Sequence, residues 1–268
     1  MEFLDPRSYR DDRGIGYYFG EDFEGIRKAT SLQKEIRDKL VKASIPGTTT
    51  KKLNTLASRL IKEAGAEPLF LGYGGFPCTI CTSVNDEVVH GLARKDKLKT
   101  GDVLSIDLGV RLNGFCGDSA RTIIIGSKQR KDSDTLIVQI AEKAFKSGVA
   151  KAYPGNSIGD IGHAILKEIM TPRNSTGQPI FDIYKDFMGH GIGHELHEKP
   201  LVFNYGIEGN GHTIKEGMCI CIEPVVIHKT SKVIRGGDIF TFKTSDRKTA
   251  SHYENQVYID KNGPIILT

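Results

Sequence analysis

The stretch that decides the fold spans residues 101–126 and reads GDVLSIDLGVRLNGFCGDSARTIIIG. Two extended, apolar segments flank the Asn-Gly pair at 113–114, which is typical of a two-residue hairpin turn because both central positions need a positive φ. With that turn, Gly109 lies opposite Asp118. Asp107 lies on the strand of Gly109, two residues away from it. Asp107 and Asp118 therefore become diagonal neighbours on one sheet face. The sequence therefore predicts a β-hairpin that presents a pair of carboxylates.

The aspartates of this hairpin have two interpretations. Carboxylates that share one sheet face repel each other unless a cation lies between them, which favours a metal site. The alternative is a pair of exposed aspartates on a solvated face, and the alternation with Ile106, Leu108 and Val110 also allows that. The hairpin by itself leaves both interpretations open.

Two other segments of the chain resemble each other. KASIPGTTTKKLNTLASRLIKEAG begins at Lys42, and KAYPGNSIGDIGHAILKEIM begins at Lys151. Each has Lys-Ala, then Pro-Gly, then apolar residues with the period of a helix, and each follows another amphipathic segment, at about 21–43 and 133–151. Two helices followed by strand-like runs, present twice, predict a duplicated α+β unit. The alternative is a chance similarity between two helical stretches.

The acidic residues are divided between the two repeats, at about 21–126 and 132–268. Because each half holds only part of the set, we expect one fused domain over residues 15–268, with the site between the halves. Residues 1–14 are expected to form a flexible N-terminal arm.

The segment MGHGIGHELHEKP at 188–200 holds three histidines among glycines, which leave room beside the imidazoles. It does not fit a helical HExxH zinc motif, because His194-Glu195-Leu196-His197 is one residue too short and glycine disfavours a helix. We therefore expect a loop or strand that presents single histidines, foremost His190 and His197. The alternative is that the histidines are structural or merely exposed.

Two glutamates occur in apolar, strand-like contexts. In MCICIEPVV the period of two places Cys219, Cys221 and Glu223 on one face, and a buried carboxylate there must be paired, protonated or bound to metal. The segment 239–260 is interpreted as a second hairpin that turns near 246–247 and returns with Glu254. Each glutamate alone could also be a satisfied core residue or part of a salt bridge.

The composition limits the classes of function. The chain has 268 residues, 38% hydrophobic and 26% charged, with a formal net charge of +4, which is an ordinary globular balance. We find no apolar run of the roughly 18 residues that span a bilayer, no secretory signal and no long basic run. Five cysteines favour reduced thiols in the cytosol, although Cys78-x-x-Cys81 leaves a zinc or redox interpretation open.

Together the motifs resemble the type I methionine aminopeptidase family, which has the pita-bread fold. The motifs are VNDEVVHGL, LSIDLGV followed by GFCGDSARTI, GHGIGHELHEKP, CIEP and SHYENQV, and the resemblance covers the chain from about residue 21 to the end. It implies an α+β fold in which a pseudo-twofold duplicated unit has a central, mostly antiparallel sheet covered by helices. It also implies a metallo-aminopeptidase that removes the N-terminal methionine from nascent proteins by attack of water activated by two metals. The segment between His197 and Glu223 is short, so the chain lacks the helical insertion that type II enzymes have there.

The resemblance assigns roles residue by residue. It implies two divalent ions, among Co, Mn, Fe and Zn, and these five metal ligands: Asp107, Asp118, His190, Glu223 and Glu254. Asp107 resembles a ligand of one ion only, and Asp118 and Glu254 resemble the bridging carboxylates. Glu223 also resembles the group that moves a proton during catalysis, and His90 and His197 resemble two catalytic histidines that contact the substrate without binding metal.

The same resemblance implies an apolar pocket for the methionine side chain. It is formed by Tyr73, Phe76, Cys81, Leu196 and Phe240, and an unbranched thioether suits such walls. Phe240 stands where bacterial relatives often have Trp, and Leu196 stands where many have Phe, so the pocket shape is expected to differ.

The resemblance further implies peptides and nascent chains as substrates, a monomer, and no binding to DNA or membranes. Ribosome association is compatible with that substrate, although no motif indicates it. A cytoplasmic enzyme of bacterial type is expected, with an organellar enzyme as the alternative. Two other functions stay open: an Xaa-Pro aminopeptidase or prolidase-like peptidase, and a non-catalytic pita-bread binding module.

Overall fold

The structure is a computed structural model that describes residues 7–126 and 132–268. Within these residues it has four α-helices: α1 (Gly20–Ala43), α2 (Thr50–Glu63), α3 (Asp132–Val149) and α4 (Ile158–Ile169). The positions agree with the two predicted helix pairs. Of these helices, none combines the length and the apolar character that a membrane span requires.

The second helix of each pair begins at a capping residue that the sequence motif contains. The side chain of Thr49 accepts a hydrogen bond from the Lys52 amide at the start of α2. Ser157 and Asp160 form a reciprocal capping box at the start of α4. Such caps satisfy backbone N–H groups that have no partner inside the helix, which explains why both helices begin just after the Pro-Gly pair.

The strands are short except for two long ones in the first half. They are β1 (Tyr9–Arg10), β2 (Gly16–Tyr17), β3 (Glu67–Pro68), β4 (Cys81–Val84), β5 (Glu87–Val89), β6 (Val103–Leu112), β7 (Phe115–Ile124), β8 (Phe181–Ile183), β9 (Gly189–Gly191), β10 (Glu198–Val202), β11 (Cys219–Ile222), β12 (Val225–His228), β13 (Val233–Arg235), β14 (Phe242–Thr244), β15 (Ser251–His252), β16 (Asn255–Asp260) and β17 (Gly263–Ile266). All pairs between these strands are antiparallel. The predicted α+β class with a mostly antiparallel sheet is confirmed.

Strands β6 and β7 form the predicted hairpin in the predicted register. Asn113 and Gly114 have φ of 51° and 85°, as the two-residue turn requires. Gly109 pairs with Asp118, and Asp107 pairs with Ala120. The local turn therefore determines which carboxylates share a face.

Helix α1 packs directly on this hairpin. A Cβ atom at Gly117 of β7 would lie 2.8 Å from the Ala29 carbonyl oxygen, so the close approach requires glycine. The buried amide of Gln33 donates to the Leu108 carbonyl at 2.9 Å and to the Ser119 hydroxyl at 2.7 Å. These contacts position the hairpin rigidly against the helix layer.

The second half has its own core, formed by α3, α4 and the strands that they cover. Ile158, Ile161, Ile165 and Ile169 of α4 are buried, in agreement with the predicted helix face. In β11, Ile220 and Ile222 belong to this core, whereas Cys219 and Cys221 belong to another apolar cluster on the opposite face.

The two halves meet through backbone hydrogen bonds beside the hairpin. The Glu254 amide donates to the Ala120 carbonyl at 3.0 Å, and the Ala120 amide donates to the Glu254 carbonyl at 3.3 Å. The Asp118 amide donates to the Gln256 side chain at 3.2 Å. These bonds bring a residue near the C-terminus next to β7.

The predicted second hairpin is wrong. Strand β14 pairs with β13 and β5, whereas β15 pairs with β12 and β16 pairs with β11 and β17. The chain does turn near Arg247, which has a φ of 57°. The next strand, β15, belongs to a different sheet from β14. Strand β16 is buried along most of its length, and that burial outweighs a local pairing across the turn. Glu254 therefore lies in the short link between β15 and β16.

The predicted N-terminal arm is described only in part, because residues 1–6 lie outside the described residues. In the described part, β1 pairs with β2, and Arg10 forms an ion pair with Glu198 at 2.6 Å. The hydroxyl of Tyr18 donates to the same carboxylate at 2.6 Å.

Candidate metal centre and its cavity

The hairpin aspartates face a cavity of about 360 Å³. Asp118 is buried, and Asp107 keeps a partly exposed side chain that lines the cavity. Oδ1 of each aspartate is buried without a hydrogen-bond partner among the described residues. Since a buried carboxylate oxygen without a partner is costly, these two oxygens indicate a ligand that the protein chain does not supply.

His190 reaches the same cavity from β9. Its Nδ1 lies 2.9 Å from the Gly191 carbonyl oxygen, which orients the ring so that Nε2 faces the carboxylates. Nε2 lies 3.7 Å from Glu223 Oε1 and 4.0 Å from Asp118 Oδ2. The glycines beside it are required by close packing, because a Cβ at Gly189 would lie 2.1 Å from the Cys221 carbonyl oxygen.

Four side chains bring donor atoms close enough together to hold an ion. Donor atoms of Asp118, His190, Cys221 and Glu254 all lie within 4.8 Å of one another, and all four residues are buried. Cys221 does not line the cavity, so its thiol approaches this group from within the sheet. Two carboxylates, an imidazole and a thiol are ligand types that suit borderline divalent metals.

The electrostatics of the cavity favour protonated carboxyl groups unless a positive charge is supplied. Burial raises the pKa of Glu223 to about 8, and burial together with the Glu223 charge raises that of Glu254 to about 8. Burial and the charge of Glu254 raise the pKa of Asp107 and that of Asp118 well above the usual range of a carboxyl group. Among the described residues no lysine or arginine lines the cavity. Divalent cations fit this set, since they would stabilise the ionised carboxylates.

Burial lowers the pKa of three imidazoles of the site and thereby favours their neutral forms. Burial and then the neighbouring His197 lower the pKa of His190 to about 3, and burial and then His252 lower the pKa of His90 to about 4. Burial also lowers the pKa of His197, although its side chain is exposed at the cavity mouth. A neutral imidazole can serve as a metal ligand or as a hydrogen-bond donor through one nitrogen.

His90 and His197 occupy different walls of the cavity. His90 follows β5, has a φ of 58° and packs edge-on against Phe187 with ring centroids 4.8 Å apart. The ring of His197 lies 4.5 Å from that of His190, and its Nδ1 lies 2.7 Å from the Tyr73 hydroxyl. With Nδ1 engaged, Nε2 is the nitrogen of His197 that is left for another partner.

The apolar end of the cavity contains the predicted pocket residues. Phe76 and Phe240 pack perpendicular to each other, with ring centroids 5.4 Å apart, and Cys81 belongs to the same apolar cluster. Leu196 and Tyr73 also line the cavity. All twelve residues that the sequence analysis assigned to the site thus line one cavity.

Sequence reasoning missed two residues of this site with side chains that can bind a metal, and it also left out five other lining residues: Phe70, Gly74, Val89, Phe187 and Met188. His252 lines the cavity, and Cys221 joins the group of metal-ligating atoms. Both signals were present in the sequence, because each residue lies two positions before a glutamate of the site and so shares its side in an extended chain. His194, in contrast, lies outside the cavity, where its ring packs against Phe115 at 4.6 Å.

The thiols do not form disulfides in the described residues, and all five are buried. Cys78 and Cys81 pack with Phe76 in the apolar cluster, and Cys219 accepts a hydrogen bond from Gln256. Neither Cys78 nor Cys81 belongs to the group of metal-ligating atoms found in the described residues.

The sequence and the fold of this chain are similar to those of known peptidases. The model of the family described as "Metallopeptidase family M24" matches residues 24–261. The methionine aminopeptidase of Clostridium acetobutylicum is 42% identical over 248 residues, covering 92% of this chain and 96% of the relative. The crystal structure of methionine aminopeptidase from Rickettsia prowazekii gives a TM-score of 0.88 at 33% identity, covering 95% of this chain and 99% of the other.

A more distant likeness links the chain to proline-specific peptidases. The prolidase from Pyrococcus furiosus gives a TM-score of 0.67 at 24% identity, covering 92% of this chain and 64% of that one. This likeness shows the fold alone.

A duplicated α+β unit around a buried, carboxylate-rich cavity defines the class of pita-bread metallopeptidases. The family match extends over most of the sequence and includes every residue of the cavity. The chain belongs to metallopeptidase family M24.

Proposed function

We propose that this metallopeptidase is an aminopeptidase that removes the N-terminal methionine from peptides and nascent proteins. The observation that carries the proposal is the shape of the cavity, in which the acidic, metal-ligating group adjoins an apolar pocket lined by Phe76 and Phe240. The acidic walls favour the α-amino group that only the first residue of a peptide has. The pocket favours an unbranched, apolar side chain. The names of the relatives with 34–42% identity support the same substrate.

The metal centre is proposed to hold two divalent ions, among Co, Mn, Fe and Zn. Asp107 would bind one ion only, His190 and Glu223 would bind the other, and Asp118 and Glu254 would bridge them. The Oδ1 atoms of the two aspartates, which have no hydrogen-bond partner in the part of the chain that the structure describes, support this assignment. When bound, such ions supply Lewis-acid activation of water and of the scissile carbonyl.

Glu223 is proposed to be the proton carrier. Its carboxylate lies at the cavity wall, with Oε1 directed toward His190 and Oε2 toward His252. It would accept the proton that the attacking water loses and return it to the amine that leaves. The raised pKa of about 8 shows how strongly this environment favours the protonated carboxyl when positive charge is lacking.

The two non-ligand histidines are proposed to bind the substrate around the scissile bond. His197 would donate through Nε2 to the oxygen of the scissile carbonyl, where negative charge develops in the transition state. The Tyr73 hydroxyl at Nδ1 fixes the orientation of that ring. His90, held against Phe187 on the other wall, would contact the departing nitrogen.

The finer properties of the protein form part of the same proposal. A cytoplasmic location is supported by the five unpaired cysteines within the described residues. The resemblance to the aminopeptidase family implies a monomer, and an encounter with nascent chains at the ribosome is compatible with the proposed substrate. Sedimentation velocity and co-sedimentation with translating ribosomes would test these two statements.

The direct test is methionine release from Met-Ala-Ser peptide by the purified protein. We expect release that disappears after chelation and returns when Co, Mn, Fe or Zn is added back singly. A parallel assay with Ala-Pro peptides separates the prolidase-like alternative. Turnover of Ala-Pro without methionine release, or no turnover with any metal, would contradict the proposal.

A further inference from the structure

Among the polar residues of the cavity, His252 has no role in the proposed reaction. Its strand, β15, pairs with β12, where Val225 is the partner of His252. The Thr122 hydroxyl of β7 donates to the His252 carbonyl at 2.7 Å and accepts from the His252 amide at 3.0 Å. The backbone is thus held from both sides, and the position of the ring is determined by the sheet rather than by a mobile loop.

The ring of His252 is buried and faces Glu223. The residue is 4% exposed, lines the cavity, and places Nε2 at 3.4 Å from Glu223 Oε2. Nε2 is buried and makes no hydrogen bond of good geometry within the described residues. An imidazole nitrogen buried without a partner is costly, so a small rotation that completes a bond to Glu223 would be favourable.

The Glu223 carboxylate therefore lies between two imidazoles. Oε1 is 3.7 Å from His190 Nε2, on the side of the metal-ligating group, and Oε2 is 3.4 Å from His252 Nε2. His252 itself is not part of the group of donor atoms formed by Asp118, His190, Cys221 and Glu254. The two oxygens of one carboxylate thus have different surroundings, one directed to the ligand group and one to a ring outside it.

We propose that His252 is a positioning residue for Glu223: its Nε2–H donates to Oε2 of the carboxylate and holds Oε1 toward the metal centre. This inference rests on the proposed function, in which Glu223 moves the proton. A carboxylate held by a fixed donor does not need to reorient in the transition state. Neutral imidazole suffices for this role, since only one N–H donor is required.

Two substitutions separate the hydrogen bond from the volume of the ring. His252→Gln keeps a neutral N–H donor near the position of Nε2, whereas His252→Leu keeps apolar bulk and removes the donor. We expect His252→Leu to lower kcat roughly 10- to 100-fold with little change in KM, the effect of losing a hydrogen bond to a charged group. His252→Gln should recover most of that loss. Equal losses in the two variants, or none in either, would overturn the proposal.

The matched control is His228, which is partly buried on β12, packs against Phe181 and lies outside the cavity. His228→Leu should leave kcat near the wild-type value. A loss in His228→Leu as large as in His252→Leu would mean that kcat reports only damage to the sheet, and would overturn the positioning role.

A second readout uses metal-free protein and does not depend on turnover. In protein with ¹⁵N-labelled histidine, the His252 signal is identified by its loss in His252→Gln. We expect the spectrum to show the Nε2–H tautomer of His252. We also expect the chemical shift of the His252 signal to change in Glu223→Ala. The Nδ1–H tautomer, or a signal that Glu223→Ala leaves unchanged, would refute the contact. If the wild-type protein releases no methionine while this signal behaves as expected, the proposed function fails and the contact stands.

Discussion

The first and second halves of the molecule bring carboxylates to the same cavity by different means. In the first half, Asp107 and Asp118 lie on one hairpin, and the turn at 113–114 sets their register. In the second half, Glu223 follows β11 and Glu254 lies between β15 and β16, strands that pair with different partners. Glu254 reaches the cavity because its backbone pairs with Ala120 of the first half.

The comparison shows that one part of the site is determined by local sequence and the other part by long-range packing. A two-residue turn specifies a register through the conformations of its own residues. The second-half glutamates depend instead on which strands bury the most apolar surface, a property of the whole chain. We therefore expect the first-half carboxylates to tolerate local perturbation, and the second-half carboxylates to be sensitive to packing.

The largest effect is expected from the proposed proton carrier of the second half. Glu223→Gln keeps the size of the side chain and removes its basicity, so kcat for methionine release should fall by about 100-fold or more. Asp107→Asn in the first half should reduce turnover by loss of metal. Elemental analysis of dialysed protein distinguishes the two, because Glu223→Gln should retain more metal than Asp107→Asn. Substantial turnover by metal-replete Glu223→Gln would refute the proton-carrier role.

The next effect is on stability as a function of pH in metal-free protein. A carboxyl group whose folded pKa exceeds its unfolded pKa binds more protons in the folded state, so the free energy of unfolding falls as pH rises between the two values. For Glu223 and Glu254 this window extends from 4.5 to about 8. Thermal unfolding of chelated protein should show the decline, and added divalent metal should remove it.

The variants Glu223→Gln and Asp118→Asn sharpen this test, since each removes one ionisable group from a different half. Each should flatten the decline of the melting temperature in chelated protein. If chelated wild-type protein melts at the same temperature across this pH window, the carboxylates do not share a dehydrated cavity.

Two glycine substitutions compare the halves directly. Gly189→Ala would place a Cβ 2.1 Å from the Cys221 carbonyl oxygen, so strands must move, at a cost of about 1–3 kcal/mol or more. Gly114→Ala meets no atom within 4 Å, and its cost arises from its φ of 85°, about 1 kcal/mol. Chemical denaturation should rank Gly189→Ala as the more destabilised. The reverse order would contradict the distinction between packing and turn conformation.

The smallest effect is expected at Cys221 in the second half, whose thiol lies within 4.8 Å of a Glu254 carboxylate oxygen and can act as a donor toward it. Cys221→Ala removes that donor and should weaken metal binding by about 3- to 10-fold, the value of an ordinary hydrogen bond. Cys221→Ser keeps a donor and should bind metal nearly as well as wild type. Isothermal titration of chelated protein with Mn and Zn provides the measurement, and identical affinities for the Ala and wild-type proteins would exclude a role for the thiol.

Much of the fold was predictable because its signals are local. The Pro-Gly pairs indicated where α2 and α4 begin, and the Asn-Gly pair specified the register of β6 and β7. The period of two in MCICIEPVV separated Ile220 and Ile222 from the cysteines on the other face. Each of these features depends on residues that are near one another in the chain.

The errors and omissions arose where partners are distant. The turn near Arg247 did not produce a hairpin of β14 and β15, because β14 pairs with β5 and β15 pairs with β12. His252 was missed because its importance comes from Glu223, a residue in the link between β11 and β12. Spacing along the chain could place His252 beside Glu254, but it could not show that Nε2 faces a second carboxylate.

The sequence by itself determined the helix pairs, the long hairpin, the ligand types and, through its motifs, the resemblance to a metallopeptidase family. Only the tertiary structure decided that the Oδ1 atoms of Asp107 and Asp118 lack hydrogen-bond partners among the described residues, that Cys221 lies within the group of candidate ligand atoms, and that His252 faces Glu223. The physical reason is that dihedral preferences and side-chain periodicity act over a few residues. Burial and the pairing of charges depend instead on atoms that come together only when both halves pack.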